Sequence, residues 1–318
     1  MQNRRGFLLA SASAIGWALG GFKAIAQNYP SGTVRIVVPF GAGSLTDLLA
    51  RIIAEDASKK WGQHVFVENR PGLPGTVTVS RADPDGLTIM LTSNGHAAVG
   101  YVNKNIGFDP VKDFSGITRV ATIPMFLILH PDVPATTLGE LIALARSKPG
   151  TLNFASPGFG SGGFIAAALF KKLATIDIVH LPYKSHPEAM TAMVRGDAHI
   201  YFTPLNATDE LVQTKKIRAI ACLASRRMPE LPDVPTFRES GFDFDHAPWY
   251  GLMVPARVAR SVVEKINRDV TDIIKSEKVQ EKLRSQFLIG LADTPEQFDE
   301  IIRSDTGALA DVFKNFVN

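Results

Sequence analysis

The chain has 318 residues, of which 45% are hydrophobic and 20% charged, with a formal net charge of +3. That composition excludes a disordered or low-complexity polymer. It also lacks the basic excess that holds nucleic acid. The single cysteine, Cys222, cannot form an intramolecular disulfide. It lies in the apolar stretch 217–224 and reads as a buried, inert thiol.

Arg4 and Arg5 precede an apolar run over 7–22, followed by Ala24-Ile25-Ala26. A basic start, a short apolar stretch and an A-x-A site predict a secretory signal over residues 1–26. The run is short for a membrane span, so a retained anchor is the lesser alternative. The arginine pair before Gly6-Phe7-Leu8 resembles a twin-arginine signal, with the general secretory route as the alternative. Removing Arg4, Arg5 and Lys23, with no acid among them, takes the net charge from +3 to 3 − 3 = 0. The basicity therefore belongs to the leader, and the mature protein is expected in the periplasm. The remaining 318 − 26 = 292 residues suit about two domains.

Strand-like runs are predicted at 34–38, 65–67, 87–91, 152–155, 176–180, 200–202 and 217–223. Amphipathic helices are predicted between them at 47–60, 138–147, 164–173 and 188–195. This alternation predicts an α/β fold with largely parallel sheets. Thr137-x-x-Glu140 and Thr236-x-x-Glu239 are capping boxes, and Thr294-Pro295 starts a last helix. Two long apolar segments, Thr122–His130 and Trp249–Pro255, read as crossovers between two lobes. Lobe 1 would then hold residues 27–124 and 251–318, and lobe 2 residues 125–250.

Two segments carry the functional signal, VRIVVPFGAGSLTD at 34–47 and ASPGFGSGG at 155–163. Each is an apolar strand that breaks into a Gly-rich turn and opens a helix. Helix N-termini offer unpaired N–H groups and a positive dipole end, so they attract anions. Glycines allow a ligand close to the backbone. Two such loops predict two jaws around a carboxylate.

The run from Tyr29-Pro30 through Ile36-Val37-Val38-Pro39-Phe40, Gly43 and Asp47 resembles the Bug-type solute-binding receptors of tripartite tricarboxylate transporters. The similarity continues through Glu68-Asn69-Arg70-Pro71-Gly72, Pro84-Asp85-Gly86, Leu181-Pro182-Tyr183-Lys184, Leu231–Thr236 and Trp249-Tyr250-Gly251-Leu252. It implies a two-lobed periplasmic-binding-protein-like fold whose cleft closes on its ligand by hinge motion. It also implies membrane transporter subunits as partners, a small organic acid as ligand, no cofactor and no metal. A monomer is expected. Ser44 replaces a common glycine of the family, and Thr203 a common acid. Leu73-Pro74 stands where Ala-Gly is usual, so the local helix there is expected to be shortened or lost.

The candidate ligand contacts are Phe40, Gly41, Ala42, Gly43, Ser44, Thr46 and Asp47 in the first loop, and Ser156, Gly158, Phe159, Gly160 and Ser161 in the second. Ser93 and Asn94 follow one strand, Phe202 and Thr203 another, and ligands of open α/β sheets sit beyond strand ends. Asp47 reads first as a helix brace, because a carboxylate repels a carboxylate; an amino group on the ligand would reverse that. His186 is either a rim contact or a solvent-exposed loop residue. Phe164, Tyr201 and Tyr250 are further aromatic candidates, with core packing as their alternative. Together with the lack of Lys or Arg in either loop, they favour an aromatic or semi-apolar carboxylate over citrate.

Competing readings are weaker. Residues 158–163 match G-x-G-x-x-G, but Asp177 does not end the following strand, where a dinucleotide site needs its acid. Ser161 lacks the first glycine of G-x-S-x-G. The seven histidines are scattered. A periplasmic enzyme or a sensory co-receptor on the same scaffold stays as the alternative.

Overall fold

A computed structural model describes residues 29–103, 105–158, 160–204, 209–244 and 247–314. The leader and Phe159 lie outside the described residues. Two sheets form the frame. The first has the strand order 289–290, 114–122, 249–255, 88–93, 34–38, 65–69 and the second 179–182, 153–156, 200–204, 125–129, 218–223.

The first sheet contains β1 (Val34–Val38), β2 (Val65–Asn69), β3 (Thr88–Ser93), β4 (Phe114–Thr122), β10 (Trp249–Pro255) and β11 (Ile289–Gly290). β1 alternates its faces. Val34, Ile36 and Val38 enter one core, while Val37 enters another beside Met90, Trp249 and Phe298. Both faces of the sheet are covered, which is why β1 is apolar at every position but Arg35. The second sheet contains β5 (Met125–Leu129), β6 (Asn153–Ser156), β7 (Val179–Pro182), β8 (Ile200–Pro204) and β9 (Arg218–Leu223). β5 repeats the alternation: Leu127 and Leu129 face one core, Phe126 and Ile128 the other.

The expected parallel order holds only for β2-β1-β3 and β7-β6-β8. β10 runs antiparallel to β3 and β4, and β5 antiparallel to β8 and β9. The sheets are mixed because the crossover strands enter each sheet directly, with no helix to reverse the chain. Segment 122–130 is not one strand: β4 ends at Thr122 in the first sheet and β5 starts at Met125 in the second. β10 pairs within the first sheet from Trp249 onward.

The helices are α1 (Leu45–Trp61), α2 (Leu73–Ser80), α3 (Gly95–Val102), α4 (Leu138–Ser147), α5 (Gly162–Ala174), α6 (His186–Arg195), α7 (Asp209–Gln213), α8 (Arg260–Lys275), α9 (Glu277–Arg284) and α10 (Pro295–Lys314). The helix expected to be shortened or lost after Arg70 is present as α2. Pro74 sits in its first turn, where a missing N–H costs nothing. Thr137 and Glu140 form the reciprocal box that starts α4. Thr236 and Glu239 exchange the same bonds around a turn, not a helix. α10 is shared: Phe298 and Ile302 pack on the first sheet, while Leu309, Val312 and Phe313 enter the second sheet's core.

Candidate functional site

A cleft of about 470 Å³ lies at the seam of the two lobes. Four helix N-termini open onto it. α1 contributes Leu45 and Thr46, α3 its N-cap Asn94, α5 Ser161, Gly162 and Gly163, and α6 His186. Leu45, Thr46, Gly162 and Gly163 hold first-turn positions, whose N–H groups have no partner inside their own helix. Ser44, Ser161 and Ser185 cap the next donors, accepting from the Asp47, Phe164 and Glu188 amides. No Lys, Arg, Asp or Glu lines the cleft among the described residues. Backbone dipoles at the helix starts supply positive potential there.

Three buried side-chain atoms in or beside the cleft have no hydrogen-bond partner among the described residues: Asn94 Nδ2, His186 Nε2 and Thr203 Oγ1. Asn94 is 3% exposed and makes no side-chain cap on α3, because its own backbone is already helical. Thr203 is 0% exposed, between Phe202 and Pro204, which both line the cleft. His186 Nδ1 lies 2.7 Å from Tyr201 Oη. Burial lowers the pKa of His186 and raises those of Tyr201 and Tyr250, the last to about 12. All three side chains are neutral at pH 7.

Of the sequence candidates, Phe40, Thr46, Ser93, Asn94, Gly160, Ser161, His186 and Phe202 line the cleft. Tyr201 and Tyr250 join them. Gly41, Ala42 and Gly43 are exposed at the rim. The Gly43 amide donates to Asp47 Oδ2 at 2.9 Å, and the Ser44 amide to Gly41 O at 3.2 Å, so neither is offered to a ligand. Asp47 also accepts from Arg51 and Asn69 and is a brace, away from the cleft wall. Ser156 braces the second loop: its Oγ accepts from the Gly158 amide and meets His180 Nε2 at 2.7 Å. Phe164 is a core residue between Phe154, His180 and Phe313. His96 and His180 are pushed down to about 4 by burial, and His96 holds Pro110 O at 2.8 Å.

Ile123, Met125 and Pro248, at the two crossovers, were missed as lining residues. They are apolar, and only the crossover reading could have pointed to them. Two glycines at these helix starts press on other backbone, Gly95 and Gly163. A Cβ on Gly95 would stand 2.9 Å from Gly160 O, and one on Gly163 2.6 Å from Phe202 O. Gly43 and Gly158 meet nothing within 4 Å; their φ of +81° and +103° is what favours glycine.

A hollow of about 500 Å³ between α4 and α5 is slightly larger. Its cations are engaged, Arg146 on Ala174 O and Lys171 on Asp177. Asp177 lies there and not at the cleft, so the dinucleotide reading lacks its acid. The described residues include no group of three His, Cys, Asp or Glu able to hold a metal. No described helix is long and apolar enough to cross a membrane.

Two lobes that meet over a cleft of helix N-termini define a solute-binding protein of the periplasmic-binding class. The model of the tripartite tricarboxylate transporter family receptor, TctC, matches residues 49–307, and the chain belongs to that family. BugT of Bordetella pertussis is 29% identical over 278 residues, 86% of this chain and 85% of BugT. Rpa4515 of R. palustris, solved with adipate, is 28% identical with a TM-score of 0.72, covering 90% of this chain and 97% of that one. MatC of Rhodopseudomonas palustris, with bound malate, is 30% identical with a TM-score of 0.69, covering 90% and 100%. As a member of that receptor family, the chain is a receptor rather than an enzyme.

Proposed function

We propose that the cleft captures a small organic carboxylate and presents it to the membrane subunits of a tripartite tricarboxylate-type transporter. The observation that carries this is the convergence of four helix N-termini on a cavity with no charged wall. The relatives solved with adipate and malate support the same chemistry. Asn94 belongs to lobe 1, and Ser161 and His186 to lobe 2. A ligand touching all three favours the closed arrangement over an open one.

Phe40, Ile123, Met125, Pro248 and Tyr250 make the rest of the wall apolar. An aromatic or semi-apolar body packs there, whereas a tricarboxylate must place its further charges against apolar surface. Calorimetry with benzoate-type acids, small dicarboxylates and citrate is expected to rank citrate weakest. Tight citrate binding without any aromatic or dicarboxylate binding would reverse the ligand ranking; no binding of any carboxylate would remove the function.

The receptor acts in the periplasm as a monomer, exported by the twin-arginine route. Changing Arg4 and Arg5 to lysine is expected to leave precursor in the cytoplasm, read by fractionation. Normal export of that variant would leave the pair as a plain basic leader.

A further inference from the structure

The partner of His186 decides what the cleft can read beyond one carboxylate. His186 is the first residue of α6, and Tyr201 stands on β8 with its ring edge against Gly163. Tyr201 is 1% exposed and belongs to the core of Phe126, Met190 and Met193. Its hydroxyl has one hydrogen-bonding neighbour among the described residues, His186 Nδ1 at 2.7 Å. A buried phenol must place its proton on an acceptor. If Nδ1 carried the imidazole proton, the phenol proton would have no acceptor among the described residues. Donation from Tyr201 Oη to Nδ1 satisfies both groups, and it puts the single proton of the neutral ring on Nε2. Nε2 is buried, has no acceptor among the described residues, and belongs to a residue that lines the cleft.

We propose that Tyr201 locks His186 in the Nε2–H form and that this N–H reads a second oxygen acceptor on the ligand. Asn94 Nδ2, from lobe 1, is a donor as well. The ligand class that answers this set has a carboxylate at the helix N-termini and a second carboxylate, keto or amide oxygen toward α6. A ligand whose second group only donates, such as an ammonium, meets Nε2–H without an acceptor and is rejected. The inference rests on the carboxylate reading for its first anchor. Tyr201 is a positioning residue, acting through His186.

Two measurements test it. Histidine-selective 15N labelling, with His186→Gln to assign the signal, reads the tautomer without any ligand. Wild type is expected to carry the proton on Nε2, and Tyr201→Phe to lose that single form. A proton on Nδ1 in wild type overturns the proposal. Calorimetry then compares adipate, hexanoate and 6-aminohexanoate, which share one chain length. Adipate is expected to bind about tenfold or more tightly than either, the worth of one hydrogen bond to a charged group. His186→Phe removes that difference, and His186→Gln, whose amide still donates, keeps part of it. Equal binding of adipate and hexanoate, or a difference that survives His186→Phe, overturns the proposal. If no carboxylate binds at all, the carboxylate reading fails and the tautomer decides this inference alone.

Discussion

Gly163→Val is expected to abolish ligand capture and to cost about 1–3 kcal/mol of stability, the usual range for overpacking a filled interior. Gly163 is the second residue of α5, pressed onto β8. Its missing Cβ is what permits the contact: a methyl there would stand 2.6 Å from Phe202 O and 3.1 Å from the Tyr201 ring. The carbonyl is strand backbone and cannot swing aside. The start of α5 must therefore lift from the second sheet, carrying the first-turn donors Gly162 and Gly163 and the cap Ser161 out of the cleft. One of four dipole ends is then lost. Because the Tyr201 ring is the second atom group struck, the His186 contact moves too. Gly139→Ala serves as the control, since a Cβ there meets nothing. Isothermal calorimetry with adipate measures the binding, and melting by circular dichroism the fold. Unchanged affinity in Gly163→Val would remove α5 from the binding site.

The strand, Gly-rich turn and helix of both loops were legible in the chain, because β-branched runs, serine caps and glycine with positive φ are local signals. Ser44 and Ser161 both cap the helices they precede. The functional weight of individual glycines was not legible. Gly95 and Gly163 press on other backbone with ordinary φ, and what they press against lies on other elements. β4 was hidden by Gly116, which weakens its strand signal. That glycine is required because the Phe298 ring of α10 would stand 2.8 Å from a Cβ. The mixed strand order could not be read, since the same apolar crossover runs serve either direction. His186 was visible as a residue, but its role depends on Tyr201, fifteen positions away and on another element. Phe164 was misassigned because the start of α5 faces the cleft with Gly162 and Gly163, while its next turn faces the core.

Phe313→Ala is expected to produce the largest stability loss, about 3–5 kcal/mol, as for other buried phenylalanine truncations. Phe313 is 2% exposed, with its ring 5.7 Å from Tyr101 and 5.6 Å from Phe164. Its position gives the loss a second consequence. α10 has 20 residues, about 30 Å of helix. It starts on the first sheet, where Asp299 accepts from the Gly116 amide at 2.6 Å and Phe298 fills the space beside Gly251. Midway, Asp305 accepts from Trp249 Nε1 and Thr306 O from Tyr101 Oη. It ends with Leu309, Val312 and Phe313 in the core of the second sheet. The helix is thus a third tie between the lobes beside the two crossovers. With the tie intact the lobes share apolar core and are expected to melt in one calorimetric transition. Removing the Phe313 ring leaves the C-terminal end of α10 with less to bury, so the two lobes lose part of their coupling and the transition should broaden or divide. A cost below about 1 kcal/mol with a single sharp transition, against the range for a buried ring, would mean that α10 does not tie the lobes.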